Sequence, residues 1–432
     1  MKELCPSGVV VNALNTVDFP ARGAPIRNSC KAGMRSVLAA NNAKDTKKLK
    51  TSVFAYFVYF VVSMSGLYIH VPFCERKCRY CDFFSVPRRQ DLQNVFLDAL
   101  EIELSRLPEG FKPDTVFVGG GTPTVLAAAQ LERLLGLISN VAAPEEWTVE
   151  ANPGTLDREK AAMLKRAGVN RVSLGIQSFE SANLSFLGRI HTADEASTAF
   201  ALLRETGFDN ISVDLMYAIP GSARTTLEAD LRRVIELKPE HVACYALIFE
   251  EGTELTRMRD AGEIREVDDD EQLEQYQLIR RTLGDAGLRH YEISNFARPG
   301  FECRHNVLYW SGGEYIGCGP AAHSHWEKVR WSNVRDVQSY CDAMKVGKSA
   351  RDFEEKLEPE AKARETLVMS LRLLDGVSRE DFRAATGFDY RALRGAEIER
   401  LVGLGMLEDD GVRLRLTEQG LFVSDSVFVE LV

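Results

Sequence analysis

The chain has 432 residues, of which 45% are hydrophobic and 27% charged, and this balance is typical of a globular protein and excludes global disorder. Its nine cysteines are an odd number scattered over a long chain, which is unlike a disulfide framework and predicts a reducing, cytoplasmic location. The formal net charge of −10 argues against a nucleic-acid groove as the main site, because binding phosphates needs clustered basic residues.

Residues 1–63 differ from the rest of the chain in charge. They carry nine Lys and Arg residues against three Asp and Glu residues, so residues 64–432 have a formal charge of −16. An uncharged run at 51–62 is shorter than the roughly 20 residues of a membrane span. We expect Met64 to be the true first residue, and an organelle transit peptide or a membrane signal is the alternative.

From residue 66 onward, short apolar runs alternate with helical patterns, which predicts repeated β/α units around a parallel sheet. The predicted strands are apolar enough for burial on both faces, and they lie at 67–71, 115–118, 147–151, 171–176, 211–216 and 242–248. Helices are predicted near 90–106, 126–140, 157–167, 192–206 and 224–237. Six such units predict an α/β fold whose core, residues 64–300, is a partial (β/α)6 barrel.

Three cysteines follow the first predicted strand at the spacing Cys74-x3-Cys78-x2-Cys81. Three thiolates can bind three irons of a 4Fe-4S cluster and leave the fourth iron open, whereas electron-transfer clusters use four cysteines. The segment resembles the radical SAM signature, in which S-adenosylmethionine fills the open position. A zinc site is the alternative, but it needs four ligands, and the sequence has no second Cys-x2-Cys pair.

Other unusual polar residues also fall near the carboxyl ends of predicted strands, where barrel enzymes place their chemistry. The glycine-rich run at 119–124 follows the second strand and lets the backbone approach a ligand closely. Glu150 and Asp214 are carboxylates within apolar strands and therefore need partners, either a ligand or a buried ion pair. Gln177 and Arg189 lie twelve residues apart, a spacing at which two successive loops can hold one ligand.

After about residue 300 the alternation of strands and helices ends. Residues 301–350 are rich in glycine and aromatic residues and include three histidines, His305, His323 and His325. Helices are predicted at 358–374, 378–386 and 390–404, followed by a hairpin that turns at 409–411. Residues 351–432 are therefore predicted to form a helical domain that resembles a winged helix. Its acidic residues favour partner binding or packing over DNA binding.

Residues 64–432 resemble the oxygen-independent coproporphyrinogen III oxidase-like radical SAM family, and in particular its haem chaperone branch. The resemblance rests on the segments at 68–74, 119–124, 175–179, 214–220 and 305–310. It implies a pocket for S-adenosylmethionine lined by Tyr68, Tyr80, Gly120, Gly121, Thr122, Glu150, Gln177, Arg189, Asp214 and Ala246. Phe83 takes the position at which the oxidase branch has a further cysteine, and this favours the chaperone branch.

The segment from His305 to Trp310 reads His-Asn-x-x-Tyr-Trp, a motif that the chaperone branch associates with haem. Haem iron takes an axial imidazole and aromatic side chains can cover the macrocycle, so His305, Tyr309 and Trp310 are haem candidates, with His323 and His325 as competitors. Without the resemblance, a histidine that is hydrogen-bonded within a capped loop is the simpler interpretation. His70 precedes the cysteines and is expected to orient the cluster rather than to bind it.

The resemblance implies a cytoplasmic haem chaperone that binds haem, a 4Fe-4S cluster and exchangeable S-adenosylmethionine, and that passes haem to an acceptor protein. The alternative is a coproporphyrinogen III oxidase, a radical enzyme that decarboxylates its porphyrinogen substrate oxidatively. Radical chemistry would require an electron donor, and no nucleic-acid partner is expected. The three cysteines serve both functions and do not distinguish them.

Overall fold

The computed structural model describes residues 64–432 of the protein. The uncharged run at 51–62, and the alternatives for the basic extension that contains it, lie outside the described residues. Within residues 64–432, no helix combines the length and the apolar composition that crossing a membrane requires.

Six parallel strands form the centre of the fold and confirm the predicted alternation of strands and helices. Up to residue 246 the strands are β1 (Ser65–Val71), β2 (Phe73–Cys74), β3 (Val86–Pro87), β4 (Thr115–Gly120), β5 (Glu146–Ala151), β6 (Arg171–Gln177), β7 (Ile211–Tyr217) and β8 (His241–Ala246). The central six are β1 and β4 to β8. The helices of this half are α1 (Gln90–Leu104), α2 (Ala128–Ser139), α3 (Arg158–Ala167), α4 (Ser181–Leu187), α5 (Ala193–Glu205), α6 (Arg224–Leu237), α7 (Glu254–Asp260) and α8 (Asp269–Asp285).

The two faces of the central sheet differ because side chains alternate along each strand. In β1, Leu67 and Ile69 pack with helix residues such as Leu97 in the main hydrophobic core. The alternate side chains, Tyr68 and His70, contact each other on the opposite face, which we call the inner face. The helices therefore cover the outer face, and the inner face of the curved sheet carries the polar groups.

Further strands extend the sheet at both edges to twelve strands. They are β9 (Arg289–Glu292), β10 (Asn295–Ala297), β11 (Glu314–Cys318), β12 (His323–Trp326), β13 (Val329–Asn333) and β14 (Arg351–Lys356). β11 runs parallel to β1, and β12 to β14 follow it in antiparallel pairs, while β10 and β9 continue from β8 at the other edge. Among the described residues no ladder joins β14 to β9, so the prediction of a partial rather than a closed barrel is confirmed.

The remaining elements include the predicted C-terminal helical domain. The helices are α9 (Arg304–Trp310), α10 (Val337–Lys345), α11 (Pro359–Ser370), α12 (Arg379–Thr386), α13 (Tyr390–Gly403), α14 (Glu418–Phe422) and α15 (Ser424–Leu431). A three-stranded antiparallel sheet accompanies them and consists of β15 (Val377–Ser378), β16 (Leu407–Asp409) and β17 (Arg413–Leu416). The strands β16 and β17 are the predicted hairpin, and together with α12 and α13 they give the domain its winged-helix-like order of elements.

The C-terminal domain contacts the sheet near both of its edges. Glu365 of α11 forms an ion pair with Arg330 of β13. A few residues later, Leu373 makes an antiparallel bridge with Glu292 of β9. One short stretch of the domain therefore touches strands that lie at opposite ends of the twelve-stranded order.

Candidate functional site

The three cysteines lie in a loop that is flanked by two short paired strands, β2 and β3. Cys74 ends β2, and Cys78 and Cys81 lie in the loop between β2 and β3. The N–H of Val86 donates to the carbonyl of Pro72 at 2.8 Å, and the N–H of Arg88 donates to that of Cys74 at 3.0 Å. All three cysteines are half-buried, so the loop presents its thiols in a partly enclosed position at the carboxyl end of β1.

Burial raises the pKa of the Cys74 thiol and, more strongly, that of Cys81. After burial, the neighbouring Cys78 and Cys74 raise the pKa of Cys81 further, because negative charges on these sulfurs would repel one another. Thiolates in such a position need a compensating positive charge, which bound iron supplies.

Among residues 64–432, no group of three or more His, Cys, Asp or Glu side chains converges as the ligands of a single ion do. Each thiolate of a cubane binds a different iron, so the cluster does not require such convergence. The half-buried, mutually repelling cysteines therefore fit an iron-sulfur cluster held at three corners.

Arg189 links the cysteine loop to the central sheet. Its guanidinium donates to the Cys78 sulfur at 3.4 Å and to the carbonyl oxygen of Gly175 in β6 at 2.5 Å. A methyl group on Gly175 would lie 3.3 Å from both the Arg189 guanidinium and the Gln177 side-chain nitrogen. The structure thus brings Gln177 and Arg189 together at the end of β6, next to the cysteines.

The glycine-rich run after β4 packs directly against the cysteine loop. A Cβ on Gly121 would lie 2.5 Å from the carbonyl oxygen of Phe73, so no larger residue fits there. Gly120 has a φ of 95°, in the left-handed region that favours glycine. Beside them, the N–H of Thr122 donates to the same Phe73 carbonyl at 2.7 Å, and its hydroxyl lies 3.7 Å from the Cys74 sulfur.

Two carboxylates, Glu150 of β5 and Asp214 of β7, lie near each other on the sheet and influence each other's titration. Burial, and after it the negative charge of Asp214, raise the pKa of Glu150 to about 8. The pKa of Asp214 is also raised by burial, although the Ser173 hydroxyl, which donates to it at 3.0 Å, opposes the shift. Two repelling carboxylates beside a cofactor loop can accept hydrogen bonds from hydroxyl or ammonium groups of a ligand.

Tyr80, which is predicted to line the pocket, lies near a second tyrosine, Tyr245. Tyr80 and Tyr245 both border the apolar cluster that includes Leu187, and burial raises the pKa of each. The Tyr245 hydroxyl donates to the Gln177 side-chain oxygen at 2.7 Å and so orients the amide. Ala246, the last residue of β8, is buried next to Tyr245, and its side chain packs in the main hydrophobic core. Sequence reasoning missed Tyr245, although it is the alternate, inward-facing residue of a predicted strand.

Tyr68 and His70 lie deeper on the inner face. The Tyr68 hydroxyl and the Nδ1 atom of His70 are 3.2 Å apart, and the Nε2 atom of His70 lies 2.9 Å from the carbonyl oxygen of Phe84. Burial lowers the pKa of His70 to about 4, so the ring is neutral near pH 7. A neutral ring donates through Nε2 to Phe84 and accepts from Tyr68, and His70 thereby holds the segment that follows Cys81.

The haem candidates on α9 lie at the opposite end of the strands from the cysteines. His305 is fully buried, with Nδ1 2.8 Å from the Thr115 hydroxyl and Nε2 2.7 Å from the Tyr309 hydroxyl. Thr115 begins β4, and a Cβ on Gly66 near the start of β1 would lie 3.0 Å from the His305 ring. At about 3.3 Å per residue, β1 spans about 17 Å from there to its carboxyl end.

The other haem candidates are placed as follows. Tyr309 and Trp310 are buried, and the Arg372 guanidinium lies 4.3 Å from the centre of the Trp310 ring. His323 begins β12 and is half-buried. His325 is buried, and its Nδ1 atom lies 3.1 Å from the carbonyl oxygen of Gly313.

Comparison with known proteins places this geometry in a family. The radical SAM superfamily model matches residues 68–234, and the HemN C-terminal domain model matches residues 357–423. The heme chaperone HemW of Lactococcus lactis subsp. lactis is 37% identical over 367 residues, which cover 84% of this chain and 96% of the relative. The chain belongs to the HemW family. The Bacillus subtilis HemW is 36% identical over 373 residues, covering 84% of this chain and 98% of the relative.

Further comparisons extend beyond the bacterial HemW proteins. The mouse protein named radical S-adenosyl methionine domain-containing protein 1, mitochondrial, is 32% identical over 388 residues, covering 85% of this chain and 87% of the relative. The solved structure of coproporphyrinogen III oxidase (HemN) from Escherichia coli matches with a TM-score of 0.75 at 21% identity, covering 87% and 93% of the two chains. HemN and this HemW family member thus share a fold. Membership of the radical SAM superfamily implies a 4Fe-4S cluster and S-adenosylmethionine.

Proposed function

We propose that the protein is a haem chaperone that carries a 4Fe-4S cluster with S-adenosylmethionine and transfers haem to an acceptor protein in the cytoplasm. The observation that carries the proposal is the similarity to relatives named heme chaperone HemW over nearly their whole length. The half-buried cysteine loop at the carboxyl end of β1 supports the cofactor part of the proposal.

In this proposal Cys74, Cys78 and Cys81 hold the cluster, and when bound the cluster supplies one-electron redox chemistry beside S-adenosylmethionine. The residues around that pocket contribute in different ways. The backbone at Gly120, Gly121 and Thr122 allows close approach. Glu150 and Asp214 accept hydrogen bonds, while Gln177 and Arg189 hold the cofactor from β6 and its following loop. Tyr68, Tyr80 and Ala246 complete the walls. An electron donor is required only if S-adenosylmethionine is cleaved.

Haem binding requires one of the histidines to become available to iron. His305 can serve as a ligand only if one ring nitrogen leaves its partner, Thr115 or Tyr309, because each ring nitrogen is within hydrogen-bond distance of a hydroxyl. His323 is half-buried at the start of β12. Both remain haem candidates, with Tyr309 and Trp310 as the aromatic neighbours of His305.

The alternative function is oxidative decarboxylation of coproporphyrinogen III, and the observation that favours it is the fold shared with HemN. Phe83 argues against it, because the resemblance places a further cysteine there in the oxidase branch. Both functions use the same cluster and S-adenosylmethionine. They differ in outcome, because the chaperone binds and transfers haem whereas the oxidase forms a porphyrinogen product.

A single anaerobic experiment tests the proposal. The protein is reconstituted with iron and sulfide, given S-adenosylmethionine, haem and coproporphyrinogen III, and assayed for bound haem and for protoporphyrinogen in the same sample. We expect a Soret shift at stoichiometric haem and no porphyrin product. Product formation with weak haem binding would establish the oxidase instead. The variant Cys81→Ser should lose cluster iron, and Cys318→Ser, which alters a buried thiol outside the loop, should keep it.

A further inference from the structure

The turn that ends β6 holds Gln177 in an unfavourable backbone conformation. Gln177 has a φ of 70°, in the left-handed region that side chains other than glycine rarely adopt. The N–H of Ser178 donates to the carbonyl oxygen of Ile176 at 3.0 Å, so the three residues form a γ-turn. A turn with positive φ at its centre is strained and persists only where neighbouring groups fix it.

A carboxylate from outside the predicted pocket fixes this turn. Asp230 lies on α6, among Leu227, Leu231 and Val234, which form the buried face of that helix. Only 4% of Asp230 is exposed. A carboxylate on the apolar face of a helix costs free energy unless its oxygens are hydrogen-bonded.

The two oxygens of Asp230 accept hydrogen bonds from Ser178, the last residue of the turn, and from Phe179, which follows it. One accepts from the Ser178 hydroxyl at 2.6 Å, and the other accepts from the N–H of Phe179 at 2.8 Å. The Ser178 oxygen in turn accepts from the N–H of Glu180 at 3.0 Å and from the Asn183 side chain at 3.2 Å. The hydrogen bonds therefore extend from α6 through the turn into the first residues of α4.

This arrangement matters for the cofactor because α4 leads directly from Gln177 to Arg189. The backbone of α4 begins at Ser181 and ends at Leu187, two residues before Arg189, which contacts both Cys78 and Gly175. From the inner face, Tyr245 fixes only the end of the Gln177 side chain. Asp230 fixes the backbone from the other side.

We propose that Asp230 is a positioning residue for S-adenosylmethionine. The carboxylate of Asp230 holds the γ-turn that directs Gln177 into the pocket. The inference rests on the proposed function, in which Gln177 and Arg189 contact that cofactor. Asp230 itself lies behind the turn and acts only through Ser178 and Phe179.

The test measures S-adenosylmethionine affinity of the reconstituted protein under anaerobic conditions by equilibrium binding. Asp230→Asn keeps the shape of the side chain but replaces one accepting oxygen with a donating group. We expect its dissociation constant to rise by about tenfold, with unchanged cluster iron and an unchanged haem titration. Glu236→Gln, an equal charge change at an exposed position of the same helix, should leave the affinity unchanged.

A double-mutant cycle separates positioning from general destabilisation. In a Gln177→Ala background, Asp230→Asn should cost clearly less affinity than in the wild type, because the side chain that it positions is gone and only Arg189, beyond α4, can still be displaced. An equal loss in both backgrounds would overturn the proposal, and so would an unchanged affinity in Asp230→Asn alone. If Asp230→Asn fails to fold, Ser178→Ala removes one of the same hydrogen bonds and is tested in the same cycle. Failure of the wild-type protein to bind S-adenosylmethionine would instead refute the proposed function, and this inference with it.

Discussion

The buried carboxylate of Glu146 caps the first turn of the helix that carries His305. One oxygen accepts from the N–H of His305 at 3.0 Å, and the other accepts from the N–H of Arg304 at 3.0 Å. Because Glu146 begins β5, this contact anchors the His-Asn-x-x-Tyr-Trp motif to the amino end of the central sheet. The motif is thus part of the base of the barrel.

The cap at Glu146 predicts a stability effect. Glu146→Gln replaces a charged acceptor of two backbone donors by a neutral one that retains a single acceptor, and we expect a loss of about 1–2 kcal/mol of unfolding free energy. Glu145→Gln is the matched control, because Glu145 is exposed and pairs with Arg304 only at the surface, which is worth about 0–1 kcal/mol. Anaerobic urea unfolding measures both, and equal losses would contradict a role for the cap.

The haem role of His305 can be tested through its partner Tyr309. If the ring must leave Tyr309 to bind iron, Tyr309→Phe removes one restraint and should tighten haem binding, whereas His305→Ala should abolish the Soret shift. If His305 only anchors α9, both variants should lose stability and His305→Ala should still bind haem. His323→Ala is the reference variant, because it removes the half-buried histidine that competes with His305 as a haem candidate. Soret titration with parallel urea unfolding distinguishes these outcomes.

Glu292 predicts a pH dependence of stability. It is fully buried, and burial raises its pKa to about 7, although the positive charge of Arg372 opposes the shift. Between the unfolded value of 4.5 and about 7 the folded state binds more protons, so this residue lowers stability as the pH rises through that window. Glu292→Gln should therefore be more stable than the wild type at pH 8, by up to about 3 kcal/mol, and the difference should shrink towards pH 5.

Urea unfolding between pH 5 and pH 8 checks this pH dependence. Glu418→Gln removes an acid that pairs with Arg280 at the surface, with 74% of the Glu418 side chain exposed, and its profile should parallel that of the wild type. A Glu292→Gln difference that does not change with pH would show that Glu292 does not titrate in this range.

The contact between the glycine run and the cysteine loop predicts a loss of function at Gly121. Gly121→Ala places a methyl group 2.5 Å from the Phe73 carbonyl and should displace the loop, lowering the S-adenosylmethionine affinity by about tenfold or more. Gly136→Ala lies in α2 with open space around it and should stabilise the protein by about 0.5–1 kcal/mol. Normal cofactor binding by Gly121→Ala would show that the loop can move without cost.

Local sequence patterns were sufficient to predict the central strands. They also indicated which of these strands carry candidate cofactor residues. The apolar runs predicted the strands, and the carboxyl-end rule predicted that Gln177 ends the fourth of them. The environment of His305 could not be predicted, because its partner Thr115 is 190 residues away in the chain. The same limit applies to β11, whose pairing with β1 joins residues some 250 positions apart and has no signal in a short run of sequence.

Because α11 and the residues after it join β13 to β9, the circumference of the open barrel depends on a domain that supplies none of the candidate cofactor residues. A force applied to the winged-helix-like surface, such as the docking of another protein, would therefore be transmitted to the spacing of the central strands. The C-terminal domain thus links the two edges of the open barrel.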